Sequence, residues 1–325
     1  MPDKSLNTPI DTTVEIKWNH VSVKEWRKLV RKVEKSNLLQ SWPYAQAALV
    51  TERMVGKFAT IHYNNRIVGI CQVLEQRMLK VFHKVRLYRG PLWIEDNIPD
   101  HVQDAFWTEI RNKYPKRPWR FTYFLPEISA SEEHHSKLEE LGLSRIDTDG
   151  YSSIWLDLDK SEDELKANLK PNWRNPLNQS YKKGLSLEVD TQGVHLAWLL
   201  ALNEMDKLLK EFKGPSPALL SSLKRFTKDR NDFLLLRAIE KGTPVGAILV
   251  ILHEASATYL VGWNSPDGRK LKAHNYLIWN AVLELKKRNI KWLDLGGINT
   301  KEAAGVTAFK RGLGGQEFTL TGSYN

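Results

Sequence analysis

An internal duplication constrains the fold of this chain more than any other feature of its sequence. Residues 57–79 and 232–254 each show the pattern of a strand, a tight turn and a second strand, and both second strands begin with Val-Gly. Two further landmarks repeat downstream, a strand around a tryptophan and a short helix ending in Gly-Leu: Trp119 and Trp292, and Gly142 and Gly312. The offsets between matching landmarks are 177, 173 and 170 residues. Offsets this constant indicate two similar units in tandem.

Each unit combines strands with amphipathic helices. Segments with apolar residues at helical spacing, such as residues 23–35, lie between the strand pairs. We therefore predict an α/β protein built from two tandem α/β units, for which 325 residues give enough length. The acidic stretch at 157–164 suits the first turn of a new helix, so we place the units at 1–157 and 158–325.

Composition narrows the class of protein. Hydrophobic residues make up 42% and charged residues 26% of the chain, which is typical of globular domains and not of disordered chains. One cysteine, Cys71, allows no internal disulfide, and no apolar run approaches the roughly 18 residues of a membrane span. We therefore expect a cytoplasmic protein without stable membrane insertion, although it could visit a membrane surface.

The chain is basic, with 48 Lys and Arg against 38 Asp and Glu. The residues after Asp157 carry 25 basic and 18 acidic side chains, a surplus of seven, whereas the residues up to Asp157 have a surplus of three. The second unit is therefore the one expected to bind an anionic partner. A basic surface that only keeps the protein soluble is the alternative.

Several common sites are absent from the sequence. There is no glycine-rich phosphate loop, no G-x-S-x-G elbow, and no H-E-x-x-H zinc helix, since Ala257 stands where the second histidine would be. The adjacent His134 and His135 would point in different directions on a helix. We predict neither a metal site nor a bound cofactor.

Four segments carry the strongest functional signal. The first is residues 37–45 with Gln-Ser-Trp-Pro-Tyr at 40–44, the second is Tyr-Arg-Gly-Pro at 88–91, and the third is a basic stretch at 172–184. The fourth runs from Tyr259 to the end and holds Tyr-Leu-Val-Gly at 259–262, Asp-Leu-Gly-Gly-Ile at 294–298 and Phe-Lys at 309–310. Together they resemble the Fem family of peptide-bond-forming transferases, over nearly the whole chain. The resemblance implies two GNAT-like α/β units. It also implies an enzyme that moves an amino acid from aminoacyl-tRNA onto the amine of a peptide, a peptidoglycan precursor or a small molecule.

The resemblance implies a catalytic role for Lys310, beside Phe309 and the strand-end glycines Gly296 and Gly297. A fixed ammonium near the reacting ester would stabilise the negative charge that develops in the transition state. Binding of the tRNA end by charge and a solvated surface lysine are the alternatives. We expect the Lys310 side chain to point into a cleft and not into a core. We interpret Asp294, in the same strand, as a hydrogen-bonded structural residue and not as a general base.

Further residues are predicted to contact the substrates. Arg174 and Lys213 could bind phosphate or carboxylate groups, and a solvated basic face is the alternative. The others are polar or aromatic residues that could line a cleft or stack an adenine, or else belong to the core: Gln40, Trp42, Tyr44, Tyr259, Trp263 and His274.

Two departures from known patterns bear on the substrates. Some Fem members have a lysine, thought to hold a diphosphate, where this chain has Gln46. This argues against an acceptor that carries a diphosphate. Residues 269–274 lack the glycine pattern of a CoA pyrophosphate loop, which argues against an acyl-CoA-dependent N-acyltransferase, the alternative enzyme. The non-enzymatic alternative is a basic RNA-binding module that has lost the chemistry.

Overall fold

The computed structural model describes residues 13–325 except 80, 148, 213 and 228–231. Within this part of the chain the strands form two sheets, of eight and seven strands, and helices pack on both. No helix in these residues combines the length and the apolar character that crossing a lipid bilayer requires.

The first unit holds the elements that precede residue 148. Its strands are β1 (Val14–Trp18), β2 (Val55–Tyr63), β3 (Arg66–Met78), β4 (Phe82–Gly90), β5 (Leu92–Trp93), β6 (Arg120–Pro126) and β7 (Arg145–Asp147). Its helices are α1 (Val23–Lys32), α2 (Trp42–Glu52), α3 (Asp100–Lys113) and α4 (Glu132–Glu140), with a 3₁₀ turn at Leu38–Gln40. The predicted β2–β3 turn lies at Asn64 and Asn65, which both adopt the left-handed backbone conformation that asparagine tolerates.

The second unit follows the same scheme with more helices. Its strands are β8 (Ser152–Asp157), β9 (Ser186–Asp190), β10 (Phe233–Glu240), β11 (Thr243–His253), β12 (Ser256–Asn264), β13 (Trp292–Asp294), β14 (Gln316–Thr319) and β15 (Ser323–Tyr324). Its helices are α5 (Glu162–Asn168), α6 (Pro171–Tyr181), α7 (Leu196–Lys210), α8 (Pro217–Phe226), α9 (Pro266–Lys270), α10 (Ala273–Lys287) and α11 (Ala304–Arg311).

Strand order shows the duplication directly. In the first sheet β1, β2, β3 and β4 are antiparallel neighbours and β4 pairs in parallel with β6 after helix α3. In the second sheet β9 to β12 repeat this order and β12 pairs in parallel with β13 after helix α10. The prediction of two tandem α/β units is confirmed.

The two sheets exchange one strand each, which the sequence did not predict. Strand β8 lies within residues 1–157, which we predicted as the first unit, but it pairs with β13 and β14 in the second sheet. Strand β15, at the end of the second unit, pairs with β6 and β7 in the first sheet. Each sheet is therefore completed by the chain of the other unit. The boundary between the units at residue 157 stays a prediction. Strand β8 precedes this boundary in the sequence, whereas its pairing partners β13 and β14 follow it.

One hydrophobic core contains buried side chains of both units. Helix α1 begins at a reciprocal capping box between Ser22 and Glu25, and its apolar face buries Trp26 as the periodicity predicts. The same core contains Leu199 of α7 and Leu223 of α8. Because this core draws side chains from both units, we expect the units to unfold together.

Candidate active site

The two units differ where their parallel strands meet. In the first unit β4 and β6 stay paired down to Gly90 and Pro126. In the second unit β12 and β13 pair only as far as Thr258 and Asp294, after which β13 ends and β12 continues to Asn264. The parallel ladder of the second unit therefore ends earlier than that of the first unit, and we call the region beyond its end, around Tyr259 and Gly296, the β12–β13 cleft.

Lys310 reaches the β12–β13 cleft from helix α11. Its Nζ donates to the carbonyl oxygens of Gly296 (3.1 Å) and Gly297 (2.8 Å), which follow β13, and it lies 5.6 Å from the centre of the Tyr259 ring. The residue is only 7% exposed, so its side chain is buried in the wall of the cleft and is more enclosed than the cleft-facing lysine that we expected. An ammonium has three N–H donors, so one remains beyond the two carbonyls.

The environment of Lys310 lowers its proton affinity. Burial lowers the pKa of the ammonium to about 8, because a charged group is less well solvated there, and the nearby Asp294 carboxylate only partly opposes this effect. The side chain is therefore still mostly charged at neutral pH. A positive charge in a partly dry cleft interacts strongly with negative charge that appears beside it.

Aromatic side chains form the wall beside Lys310. The Tyr259 hydroxyl lies 3.4 Å from Nε2 of His274, whose ring packs edge-on against Phe309 at 6.1 Å between centroids. A Cβ at Gly262 would collide with both the Tyr259 hydroxyl and the His274 ring, so the absence of a side chain there makes room for the pair. Burial lowers the pKa of His274 to about 4 and raises that of Tyr259, so both are neutral at physiological pH.

Asp294 anchors the cleft and is closed off from it. The carboxylate is fully buried and accepts hydrogen bonds from Arg89, from the Ser153 hydroxyl and from the backbone N–H of Gly296. This confirms the interpretation of Asp294 as a structural residue. The N–H of Gly296 donates to the Asp294 carboxylate, and the carbonyl of Gly296 accepts from Lys310. Gly296 therefore connects the hydrogen bonds of the carboxylate to Lys310.

Arg89 links the two units through a buried ion network. Its Nη1 donates to Asp294 (2.7 Å) across the units, and its Nε and Nη2 bind both oxygens of Glu127, at 2.8 and 2.7 Å. Burial alone would lower the pKa of Arg89, but the carboxylates of Glu127 and Asp294 outweigh it and hold that pKa well above its usual value. Arg89 therefore remains charged, and the network fixes the end of β13 against the first unit.

Sequence reasoning missed the role of Arg89 and Glu127. Arg89 lies in the Tyr-Arg-Gly-Pro segment, which we singled out without assigning it a function. Glu127 directly follows β6, the strand that runs parallel to the strand bearing Arg89. Two charged residues at the ends of adjacent parallel strands are the signal that could have indicated a pair.

A surface groove of about 560 Å³ lies elsewhere in the second unit, lined by Asp232 and Glu284 among others. Glu284 is paired with Arg288, and Glu254, also on the groove, binds Arg27. Since these charges already have protein partners, we place the site at the β12–β13 cleft. In the described part of the chain, no group of three or more His, Cys, Asp or Glu side chains is arranged to hold a metal ion.

Comparison with known proteins connects this cleft to a family. Residues 219–325, which include β12, β13, Tyr259, His274 and Lys310, match the model of the FemAB family. The resemblance to the Fem family is confirmed over these residues. No curated protein matches the chain in sequence.

Solved structures extend the likeness to both units. FemX is 14% identical, with a TM-score of 0.77 over 95% of this chain and 96% of that chain. A tandem GNAT protein from the clavulanic acid biosynthesis pathway is 12% identical, with a TM-score of 0.57 over 95% and 98%. A conserved protein of unknown function from Bacteroides thetaiotaomicron is 12% identical, with a TM-score of 0.56 over 95% and 98%. These matches show the tandem GNAT-like fold.

The structure brings six predicted site residues together. They lie around the β12–β13 cleft and belong to the fourth Fem-like segment or to helix α10: Tyr259, His274, Gly296, Gly297, Phe309 and Lys310.

Gln40 of the first Fem-like segment has a different role from the one predicted. It is fully buried, its amide nitrogen donates to the carbonyls of Gln72 and Tyr88, and its Oε1 accepts from the N–H of Gln72. Each polar atom of the side chain is thus bonded to backbone. Gln40 ties the 3₁₀ turn to β3 and β4, and this corrects the prediction of a substrate contact.

The aromatic residues Trp42 and Tyr44 also pack within the first unit. Trp42 stacks on Phe58 at 4.7 Å, and Tyr44 meets Tyr88 edge-on at 6.4 Å between centroids. Both belong to or pack against the core that joins the units. The core alternative is therefore the one the structure supports for these two residues.

The remaining candidates make other contacts or lie outside the described residues. Arg174 donates to the carbonyls of Ala167 and Leu169, so its guanidinium caps the end of α5. Trp263 packs edge-on against Trp198 of α7 at 5.3 Å. The substrate contacts of Arg174 and Trp263 stay predictions, because neither side chain is fully buried. Lys213 lies outside the described residues.

Proposed function

We propose that the protein transfers an amino acid from aminoacyl-tRNA onto the amine of a peptide, a peptidoglycan precursor or a small molecule. The observation that carries the proposal is the buried Lys310 ammonium, which two backbone carbonyls hold beyond the end of the β12–β13 pairing. The FemAB match over the same residues supports aminoacyl transfer in general. A cytoplasmic location, where aminoacyl-tRNA is made, accompanies this proposal.

The chemistry requires a place for negative charge. A neutral acceptor amine attacks the ester carbonyl, so a C–N bond forms and the carbonyl oxygen takes the negative charge. The bond to the ribose oxygen then breaks, and the proton lost by the amine ends on that oxygen. The third N–H of Lys310 is available to the carbonyl oxygen, and its position is fixed before the reaction by Gly296 and Gly297. Such preorganised donors stabilise the transition state more than the substrate.

Proton transfer involves other groups than Asp294. Three hydrogen bonds occupy that carboxylate, so it has no free access to a substrate proton. The neutral His274 ring lies beside the Tyr259 hydroxyl, so this pair is placed to relay a proton from the amine to the ribose oxygen; with a pKa of about 4, His274 does not retain that proton. Positioning of the two substrates in the cleft supplies further acceleration.

The start of helix α10 bears on the acyl-CoA alternative. Instead of an open glycine loop, the residues between β12 and α10 fold into α9. A Cβ at Gly268 of α9 would collide with the backbone carbonyl of Val245, so α9 packs closely against β11. This close packing favours aminoacyl-tRNA over a CoA donor.

The decisive experiment offers both donors in turn. We expect labelled product when the protein is incubated with a pool of radiolabelled aminoacyl-tRNA and amine acceptors, and loss of product after RNase treatment of the donor. Salt should weaken tRNA binding steeply, because each neutralised phosphate releases a counterion. Labelled acetyl-CoA in the same assay is the matched control. Product that forms from the CoA donor and is insensitive to RNase would favour the alternative enzyme.

The pH dependence of turnover tests the charge state of Lys310. We expect the ratio of kcat to that of Lys310→Met at the same pH to stay level up to about pH 7 and to fall above about pH 8, because the ammonium with its pKa of about 8 then loses its proton. The measurement is kcat at saturating substrate from mildly acidic to alkaline pH, corrected for spontaneous ester hydrolysis. The ratio cancels the deprotonation of the acceptor amine, which raises kcat in both proteins. A ratio that instead rises through pH 8 would mean that the neutral amine of Lys310 is needed as a base.

A further inference from the structure

One end of the first sheet concentrates positive charge. Residues 77–84 and 113–121, which we call the basic end, contain seven Lys and Arg and no Asp or Glu. One of the seven, Lys80, lies outside the described residues, and nothing below depends on it. The segments cover the turn between β3 and β4, and the connection from α3 to β6.

Contacts show that the two segments form one surface. The N–H of His83 donates to the carbonyl of Trp119 (2.9 Å), and the Phe82 and Trp119 rings meet edge-on at 5.3 Å between centroids. Arg120 donates to Nδ1 of His83, and Arg77 pairs with His83 across the β3–β4 ladder. The basic end is therefore a continuous surface and not two separate loops.

Large apolar side chains project from this surface. Leu79 is 84% exposed and Trp119 is 57% exposed, and Val81 and Phe121 are also exposed by more than half. Leu79 and Trp119 both have positive φ, at 52° and 67°, a conformation that is costly for a bulky residue. Exposure of four large apolar groups, two of them on strained backbone, is unusual for a surface that only meets water.

The positive charges of the basic end repel one another. Burial and the neighbouring Arg117 and Arg77 lower the pKa of Arg120. Glu75, the acid that β3 places next to this surface, is turned toward the Tyr114 hydroxyl (2.5 Å) and His83 (3.4 Å). The excess positive charge therefore faces outward, and it fits an anionic partner.

We propose that the basic end docks the protein onto the surface of an anionic lipid bilayer. Aromatic and aliphatic side chains that project among lysines and arginines can enter the headgroup region while the charges meet anionic lipids. Single-stranded RNA fits less well, because bases stack on aromatic rings, whereas the most exposed group, Leu79, is aliphatic.

Docking at this place leaves the β12–β13 cleft accessible. The basic end lies at the beginning of β4 and β6, whereas Arg89 and Glu127, which contact the cleft network, lie at the other end of these strands. Seven residues of strand separate the two ends, which corresponds to about 23 Å. The inference does not depend on the proposed transfer reaction.

Vesicle sedimentation tests the proposal. We expect the protein to sediment with vesicles of phosphatidylglycerol and phosphatidylcholine, and not with phosphatidylcholine alone. Joint replacement Trp119→Ser and Phe121→Ser should weaken binding by about tenfold or more, because two exposed rings no longer enter the headgroup region. Arg77→Ala and Arg117→Ala should each weaken it by about fivefold, and added salt should weaken it further.

Matched variants control for general effects of the substitutions. Leu208→Ser removes a side chain on α7 that is 82% exposed, and Arg66→Ala removes an exposed arginine at the β2–β3 turn. Both should leave vesicle binding unchanged, and thermal melts of all variants should match the parent. The proposal is overturned if the parent ignores anionic vesicles, if the control variants lose binding equally, or if the basic end binds a single-stranded oligoribonucleotide instead.

Discussion

Replacing Lys310 with methionine is expected to lower kcat by about 10²–10³-fold, or roughly 2.7–4 kcal/mol, with little change in either Michaelis constant. The expectation follows from the position of Nζ, which Gly296 and Gly297 fix at the end of β13 before any substrate binds. Methionine keeps most of the buried stem and removes only the charge and the N–H donors. The measurement is steady-state kinetics with both substrates varied.

Three controls make the Lys310 result interpretable. Lys301→Met makes the same change at a lysine side chain that is 78% exposed, and it should leave kcat unchanged. Lys310→Arg keeps the charge but changes its geometry. The variant should retain more activity if Lys310 only binds the tRNA end by its charge than if Lys310 donates a hydrogen bond to the oxyanion. A thermal melt reports whether the loss of the bonds to the Gly296 and Gly297 carbonyls has unfolded the protein. Normal turnover of a folded Lys310→Met would exclude Lys310 from the mechanism. An effect confined to the Michaelis constant for tRNA would mean that Lys310 only binds the tRNA end.

Replacing Arg89 with methionine is expected to lower the free energy of unfolding by about 3–5 kcal/mol. Arg89 is the cation between Glu127 and the fully buried Asp294, so its removal leaves a buried carboxylate without a counter-charge. The loss concerns both units, because Arg89 and Asp294 lie in different sheets. Chemical denaturation followed by circular dichroism measures the change.

An exposed ion pair provides the comparison for Arg89. Arg66 pairs with Glu95 with side chains that are 64% and 37% exposed, so Arg66→Met should cost less than about 1 kcal/mol. Adding Asp294→Asn to Arg89→Met should recover part of the stability, because a neutral amide costs less to bury unpaired than a carboxylate. Equal losses at Arg66 and Arg89, or no recovery in the double variant, would contradict a buried charge network.

Local patterns in the sequence predicted most of the elements. The Val-Gly strand pairs, the Asn64-Asn65 turn and the apolar face of α1 depend on residues close together in the chain, so periodicity and turn chemistry are enough to find them. The duplication then predicted the shared strand order. The fourth Fem-like segment predicted the cleft residues as a group, because its members lie on consecutive elements around one strand end.

The first Fem-like segment shows the limit of a motif. Gln40 is a polar residue in a segment that resembles a known family, and such residues are good candidates for ligand contacts. In the fold it is buried and bonded to the backbone of Gln72 and Tyr88, which lie 32 and 48 residues away. A polar side chain can be retained to satisfy buried backbone groups, and its residue type does not distinguish this from binding.

The sequence by itself therefore predicted the two-unit α/β architecture, the resemblance to the Fem family and the residues that lie together around Lys310. Only the tertiary structure decided the exchange of β8 and β15, the Arg89–Asp294 pair and the burial of Lys310. These features connect residues that are distant in the sequence: Arg89 and Asp294 are separated by 205 positions. They depend on which strands pair with each other and on where each pairing ends. Helix and strand periodicity reports which face of an element is buried, but it carries no information about the partner, because apolar faces fit many partners equally well.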